Sequence, residues 1–344
     1  MDLNAPVTLS VLARRLNVST TTVSKALHGK PGIGAAMVER VHALARELKY
    51  QPNFAAQQLK TNAVDAVGVL ITGDIVNPWY SQLVSGLADK LFACGHTMVL
   101  ALGKDDLERE REVLNGFSGG RVGGVIIGPI VRQRDFQPLW EAWDKGVPVV
   151  AFNCVEELPL SYVAIDQRAG ARLAVEHLIA QGHRRLVYLG CPPVDMQESG
   201  ATRSDGFVNA MFDHDLPLTK QSIIPGDNTR RCGYENMKVL LTLPADRRPT
   251  AIFCHNDNVA LGAMLAVQQA GLKVPDDISL IGFDDIGESA LSVPGLTTIG
   301  GVMQELSAGL VQVMRQLMEH RPITPIRQLI TPKLIERMSV KSLN

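Results

Sequence analysis

The chain has 344 residues, 46% hydrophobic and 20% charged, with a formal net charge of −1. That length requires more than one domain, and no apolar run approaches the ~18 residues of a membrane span. The five cysteines, Cys94, Cys154, Cys191, Cys232 and Cys254, are widely spaced without a Cys-x-x-Cys pair, which points to reduced thiols and not to a disulfide frame or metal site. The first ten residues lack a basic segment followed by an apolar one, so a cytoplasmic location is expected. The charge is unevenly spread. Residues 1–62 hold Arg14, Arg15, Lys25, Lys30, Arg40, Arg46, Lys49 and Lys60 against Asp2, Glu39 and Glu47, a net +5 that leaves −6 on the remainder. Charge alone leaves two readings: an anionic polymer as partner of the small basic part, or a solvated surface with chance clustering.

Leu9, Leu12, Ala13 and Leu16 recur at helical spacing, with Thr8 as the expected N-cap. Asn17 tolerates left-handed backbone and turns the chain. With Ser19 as N-cap, Val18 and Val23 have the spacing of a hydrophobic staple, predicting a second helix over Thr20–Leu27. Val23, Ala26 and Leu27 then face inward, leaving Thr20, Thr21, Ser24 and Lys25 outside. A loop from His28 to Gly34 precedes a third helix whose stripe is Val38, Val41, Ala45 and Leu48. Helix, tight turn, helix and bracing helix make a helix-turn-helix. A surface-only reading leaves three consecutive threonines on a short helix unexplained, because Thr is a poor helix former. A base edge or a phosphate explains them.

Pro52 ends the third helix near Gln51. Asn53–Lys60 is long enough for about two helical turns, marginal in water without packing. Such a segment orders on DNA or on a second copy. Leu59 has no local core, so it is an ordinary exposed leucine or an apolar wedge for the minor groove.

From Ala63 a strand–helix unit repeats. Strands are predicted at Ala66–Thr72, Thr97–Ala101, Val122–Gly128, Val147–Phe152, Tyr162–Ile165, Arg185–Gly190, Ser222–Pro225, Thr250–Cys254 and Ile278–Phe283. Their near-continuous apolar character is that of parallel strands covered on both faces. Gly95, Gly146, Gly182 and Gly271 stand where helices end before strands. Two α/β lobes are expected, with ligand bound beyond the strand C-termini. The candidates there are Asp74 with Asn77, Trp79 and Tyr80; Asn153; Arg203; Asn256 and Asp257; and Asp284 and Asp285. Carboxylates, amides, one arginine and nearby aromatics suit a polyhydroxylated ligand such as a sugar. Each Asp or Asn alone is equally a helix N-cap, Asn256 above all.

The chain has no phosphate-binding Gly-x-x-x-x-Gly-Lys loop, no Gly-x-Gly-x-x-Gly after a strand, no His-Glu-x-x-His and no Gly-x-Ser-x-Gly. No cofactor, metal or catalytic residue is expected. Asp74 and Asp284 have the residue type for glycoside hydrolysis, but nothing in the sequence sets their separation.

Val18-Ser19-Thr20-Thr21-Thr22-Val23-Ser24-Lys25, Tyr50-Gln51-Pro52-Asn53, Ala56-Gln57-Gln58-Leu59, Asn77-Pro78-Trp79-Tyr80, Asn256-Asp257, Gly282-Phe283-Asp284-Asp285 and Leu296-Thr297-Thr298-Ile299 together resemble the LacI/GalR family of bacterial transcriptional regulators, over nearly the whole chain. The resemblance implies an α/β protein: an all-α helix-turn-helix head (1–50), a hinge (51–63) and a two-lobed, periplasmic-binding-protein-like core with parallel sheets (64–344). It implies a homodimer on a palindromic double-stranded operator. Thr20, Thr21 and Lys25 match positions that read the major groove; Ser19, Thr22 and Ser24 match phosphate contacts. His28, Asn53, Ala56 and Gln57 complete the DNA set, with Leu59 as the leucine inserted at the operator centre. Arg203, Asn256 and Asp284 match effector contacts, joined by Asp74, Trp79, Tyr80, Asn153 and Asn228. The sequence departs from the family at Asn17, where Gly is usual, at Asn228, where some members have an aromatic, and at Gly300–Met303, usually more polar. The expected function is an effector-controlled repressor of carbohydrate-metabolism genes. The alternatives are a purine effector, a solute-binding protein or a sugar-converting enzyme.

Overall fold

The structure is a computed structural model that describes residues 7–27, 29–50, 64–104, 106–128, 137–152, 160–191, 202–320 and 324–344. The chain divides into two compact units, Met1–Val64 and Asp65–Asn344.

In the first unit, helices α1 (Leu9–Leu16), α2 (Thr20–Leu27) and α3 (Ala35–Glu47) enclose Leu12, Ala13, Val23, Ala26 and Val41. Asn17 ends α1 in the left-handed conformation, φ 55° and ψ 46°, and the Val18 N–H reaches back to the Ala13 carbonyl at 3.0 Å. That six-to-one bond is the Schellman closure, which Asn supports at small cost. The Ser19 hydroxyl accepts from the Thr22 N–H at 3.0 Å, so Ser19 caps α2 as its sequence predicts. Thr8 stands at the N-cap of α1, but its side chain makes no capping bond, contrary to expectation.

The second unit holds two six-stranded sheets. The first orders its strands β11-β5-β4-β3-β1-β2, formed by Arg327–Ile330, Ser161–Ile165, Val149–Ala151, Gly124–Ile127, Ala66–Ile71 and Thr97–Leu102. The second orders them β12-β10-β9-β8-β6-β7, formed by Lys333–Ile335, Thr297–Gly300, Ser279–Phe283, Ala251–Cys254, Leu186–Cys191 and Ile223–Pro225. Every pairing is parallel except β12 with β10. Helices intervene as parallel crossovers require: α4 (Pro78–Ala93), α5 (Leu107–Gly116), α6 (Gln137–Asp144), α7 (Gln167–Ala180), α8 (Arg203–Asp213), α9 (Arg230–Leu241), α10 (Asp257–Gln269), α11 (Gly287–Leu291) and α12 (Met303–Glu319). Gly95, Gly146, Gly182 and Gly271 all have positive φ, so each serves as the predicted left-handed terminator.

All nine predicted strands form. Three others, β10, β11 and β12, are short and polar, and periodicity does not reveal them. They matter for topology. The chain crosses from the first sheet to the second after Ile165, returns through α12 to add β11 beside β5, then crosses again within two residues to add β12 beside β10. The lobes are thus interleaved and not consecutive.

Helices α9 and α10 pack with backbone against backbone at two glycines. A Cβ on Gly262 would strike the Arg230 carbonyl, and one on Gly233 would strike the Val259 carbonyl. Neither obstacle is a flexible side chain. Gly262→Ala is therefore expected to destabilise by about 1–3 kcal/mol despite the better helix propensity of alanine. Gly119→Ala, at φ −74° with open space around it, is expected to stay within about 0.5 kcal/mol of the parent. Urea unfolding of both variants measures the difference.

Candidate functional site

In the head, Thr20, Thr21 and Lys25 of α2 are exposed, while Thr22 and Ser24 are partly covered. The Ser19 and Thr22 hydroxyls lie 2.9 Å apart within the cap. The first turn thus holds a row of hydroxyls and two exposed threonine side chains on a helix start, where the backbone N–H groups favour phosphate, and Lys25 adds a cation in the last turn. His28, Asn53, Ala56, Gln57 and Leu59 lie outside the described residues, as does the whole segment 51–63.

In the body, the C-terminal ends of strands from both sheets meet. Asn77, the N-cap of α4 after β1, accepts the Trp79 N–H at 3.1 Å and also a hydrogen bond from Asn258 at 3.4 Å, in the first turn of α10 after β8. This bond joins the lobes across the cleft. On the first lobe's side, the exposed Asp74 accepts the Val76 N–H at 3.1 Å. Tyr80 lies on the backbone of Gly73, where a Cβ would come within 2.6 Å of its ring. Trp79 is almost covered, packed edge-on against Tyr80 and at a tilt against Phe152, at centroid distances of 5.1 and 6.1 Å. Tyr80 keeps the greater exposure of the two. Asn153 lies outside the described residues.

Arg203, the first residue of α8, is the hub on the other side. Its Nε donates to Gln167 Oε1 at 2.5 Å, Nη1 to the His255 carbonyl, and Nη2 to Asp284 Oδ1 at 3.2 Å. The guanidinium carbon sits 3.8 Å from the centroid of the Phe283 ring. Both charged side chains are largely sheltered, 13% and 8% exposed, so their attraction is weakly screened. Thr202 and Asp205 form a reciprocal capping box that fixes the start of α8, and with it the base of the Arg203 side chain.

Asp284 and Asp285 take positive φ, 109° and 53°, which side chains other than glycine rarely adopt. The turn is held from below by Asp257. One carboxylate oxygen accepts the Ile286 N–H at 2.9 Å and the Ser289 hydroxyl at 2.7 Å; the other accepts the Thr298 hydroxyl at 2.5 Å. Arg337 grips Asp285 at 2.7 Å and the Leu296 carbonyl at 2.8 Å from the side. Asp257 is fully buried, so it supports the site and does not contact ligand, a correction to its place among the strand-end candidates. Burial, and then the negative charge of Asp284, raise its pKa to about 7.

Asn256 has both ends engaged: Oδ1 accepts the Val259 N–H at 2.9 Å, and Nδ2 donates to the Asn228 carbonyl at 3.1 Å. The N-cap reading describes it, and it holds Asn228. Asn228, at φ 67°, has a buried Oδ1 without a hydrogen-bond partner among the described residues. An orphaned acceptor costs free energy until a donor reaches it.

Gln167, Tyr188 and His255 belong to this cluster, and sequence reading missed them. His255 directly follows a predicted strand, so the strand-end rule covered its position. Tyr188 reads as core, and Gln167 carries no local signal. Among the described residues no group of three His, Cys, Asp or Glu converges as a metal site, and no helix is long and apolar enough to cross a membrane.

Residues 8–53 match the family of bacterial regulatory proteins, lacI family, and residues 175–340 match the periplasmic binding protein-like domain. The chain is 30% identical over 336 residues to the transcriptional repressor PurR of Shigella dysenteriae serotype 1 (strain Sd197), covering 97% of this chain and 96% of that one. The structure resembles the lac repressor dimer bound to operator and the anti-inducer ONPF, with a TM-score of 0.87, 28% identity, and 98% and 100% of the two chains covered. It also resembles the complex of the transcriptional regulator CelR with cellobiose, with a TM-score of 0.71, 26% identity, and 97% and 99% covered.

The raised pKa of Asp257 has a sign that can be checked. The folded state holds this proton up to about pH 7, whereas the unfolded chain releases it near 3.8. The contribution of this group to stability therefore falls as pH rises from 3.8 towards 7. Relative to Asp257→Asn, the parent protein is expected to lose stability between pH 5 and 7.5. Urea unfolding of both proteins across that range measures the difference.

Proposed function

Because this chain belongs to the lacI family of bacterial regulatory proteins, a family of DNA-binding transcriptional regulators, we propose that it is a repressor of carbohydrate-metabolism genes whose operator affinity is set by a neutral sugar bound between its lobes. The observation that carries the sugar reading is the state of Arg203. Three of its five N–H groups are committed, and its charge is already matched by Asp284. What remains is a pair of oriented donors with no net charge to offer an anion. Asp284, paired with Arg203, and the buried Asn228 amide oxygen, on a residue held by Asn256, are acceptors of the same lobe, and Tyr80 with Trp79 supplies apolar surface. Hydroxyl groups both donate and accept, so a polyol answers this mixture. CelR, which shares the fold, is bound to cellobiose.

Operator contact falls to Thr20, Thr21 and Lys25 in the major groove, to Ser19, Thr22 and Ser24 on phosphates, to His28, and to Asn53, Ala56, Gln57 and Leu59 in the hinge. The working division is head 1–50, hinge 51–63 and core 64–344. Two copies on a palindrome place their second helices one turn of DNA apart. The core supports pairing. Edge strand β2 is hydrogen-bonded on one side to β1. It leaves Val99 and Leu100 38% and 37% exposed, and Phe92 on the adjoining α4 is 84% exposed. An apolar edge left uncovered is an aggregation hazard, and a second copy covers it. The protein acts in the cytoplasm, without catalytic turnover.

Selection of bound duplexes from a random pool, alone and with D-ribose, D-galactose, cellobiose or hypoxanthine, tests the reading. One palindromic site whose recovery changes with one sugar is expected. A response to hypoxanthine alone overturns the sugar, and sugar turnover by the purified protein overturns the regulator without activity. Thr21→Ala is expected to relax preference at one base pair by about 1 kcal/mol, without altering the salt dependence of binding.

A further inference from the structure

The geometry points to His255 as an additional effector-contacting residue, which presents an Nε2–H donor to a ligand oxygen; the inference rests on the cleft being the effector site. His255 follows the last residue of β8, and its carbonyl is held by Arg203 Nη1. Its backbone is therefore anchored to the guanidinium that carries the sugar reading. Nδ1 lies 2.6 Å from the Tyr188 hydroxyl. Tyr188 is itself fixed. It is 1% exposed and stacked on Phe253, with centroids 4.9 Å apart and planes 15° apart. The imidazole stacks against the same tyrosine at 6.1 Å.

A phenol O–H is the better donor of the pair, so Nδ1 accepts and the one proton of a neutral imidazole is placed on Nε2. Burial and the neighbouring Arg203 cation hold the ring neutral, well below the ordinary histidine pKa. Nε2 has no hydrogen-bond partner among the described residues, and the side chain is only partly buried. A fixed, neutral donor without a partner at a strand end is the kind of group that reads a hydroxyl or carbonyl oxygen. With it the cleft offers donors from Arg203 and His255 and acceptors from Asp284 and Asn228. That alternation fits vicinal hydroxyls. A purely structural role, satisfying the Tyr188 hydroxyl, needs Nδ1 alone and leaves Nε2 unused.

The test is a nitrogen–proton correlation spectrum of the histidine rings in the full-length protein, with D-ribose, D-galactose, cellobiose and hypoxanthine as probes. His255 is expected as the neutral Nε2–H tautomer without ligand, and its Nε2 signal is expected to move with one sugar. His255→Ala is expected to weaken that sugar about tenfold, and His255→Gln, whose amide also donates, to recover most of the loss. Tyr188→Phe, which frees the ring without removing it, is expected to fall between them. An Nδ1–H tautomer, a signal unmoved by every probe, or a His255→Ala affinity within twofold of the parent overturns the inference. Failure of the underlying reading is separate: operator occupancy then ignores all four probes, whatever the tautomer.

Discussion

The cleft depends on how the Asp284–Asp285 turn is held. Two consecutive side-chain-bearing residues at positive φ are unfavourable alone, and the surroundings over-determine them. Asp257 gathers one N–H and two hydroxyls beneath the turn, and Arg337 ties its flank to Leu296. Gly300 leaves room, since a Cβ there would come within 2.6 Å of Asp285 Cβ. The Asp284 N–H reaches the Ile299 carbonyl at 2.7 Å. The outcome is a carboxylate aimed at Arg203. Arg203 in turn gathers the start of α7 through Gln167 and the end of β8 through His255.

This rigidity gives the proposed control its magnitude. A hundredfold change in operator affinity requires about 2.7 kcal/mol of differential binding between two states. One or two hydrogen bonds from a sheltered guanidinium, at about 1.5–3 kcal/mol each, supply that amount if they form in one state and not the other. The interleaved chain makes such a difference mechanically readable. Three segments run between the lobes, after Ile165, through α12, and between β11 and β12. The Asn77–Asn258 bond spans the cleft itself. Few and short covalent links suit lobes that shift relative to one another about a shared apolar core.

Much of this was legible in the residues. The alternation of apolar strands with glycine-ended helices fixes the α/β class, because both signals are local. The staple at Val18 and Val23 and the cap at Ser19 set α2 to the residue. Arg203 and Asp284 were singled out by position, at a helix start and a strand end, and the structure pairs them. What was not legible is long-range. Strands β10 to β12 are too short and polar to declare themselves, and they exist because a neighbouring strand offers an edge. Asp257 looked like a ligand contact until burial showed it to be a support. Gln167 and His255 meet only because elements distant in sequence converge on one guanidinium, and Tyr188 joins them through His255. The neutral total charge misled in the same way, since it sums a basic head and an acidic body with different partners.

The central claim is that Arg203 converts ligand occupancy into operator affinity. The direct measurement is a titration of operator-bound protein with the sugar identified by selection, for the parent and for Arg203→Ala. The account predicts that the variant still binds operator and that its affinity no longer changes with sugar. A variant that responds as the parent does would place the effector elsewhere and contradict the account.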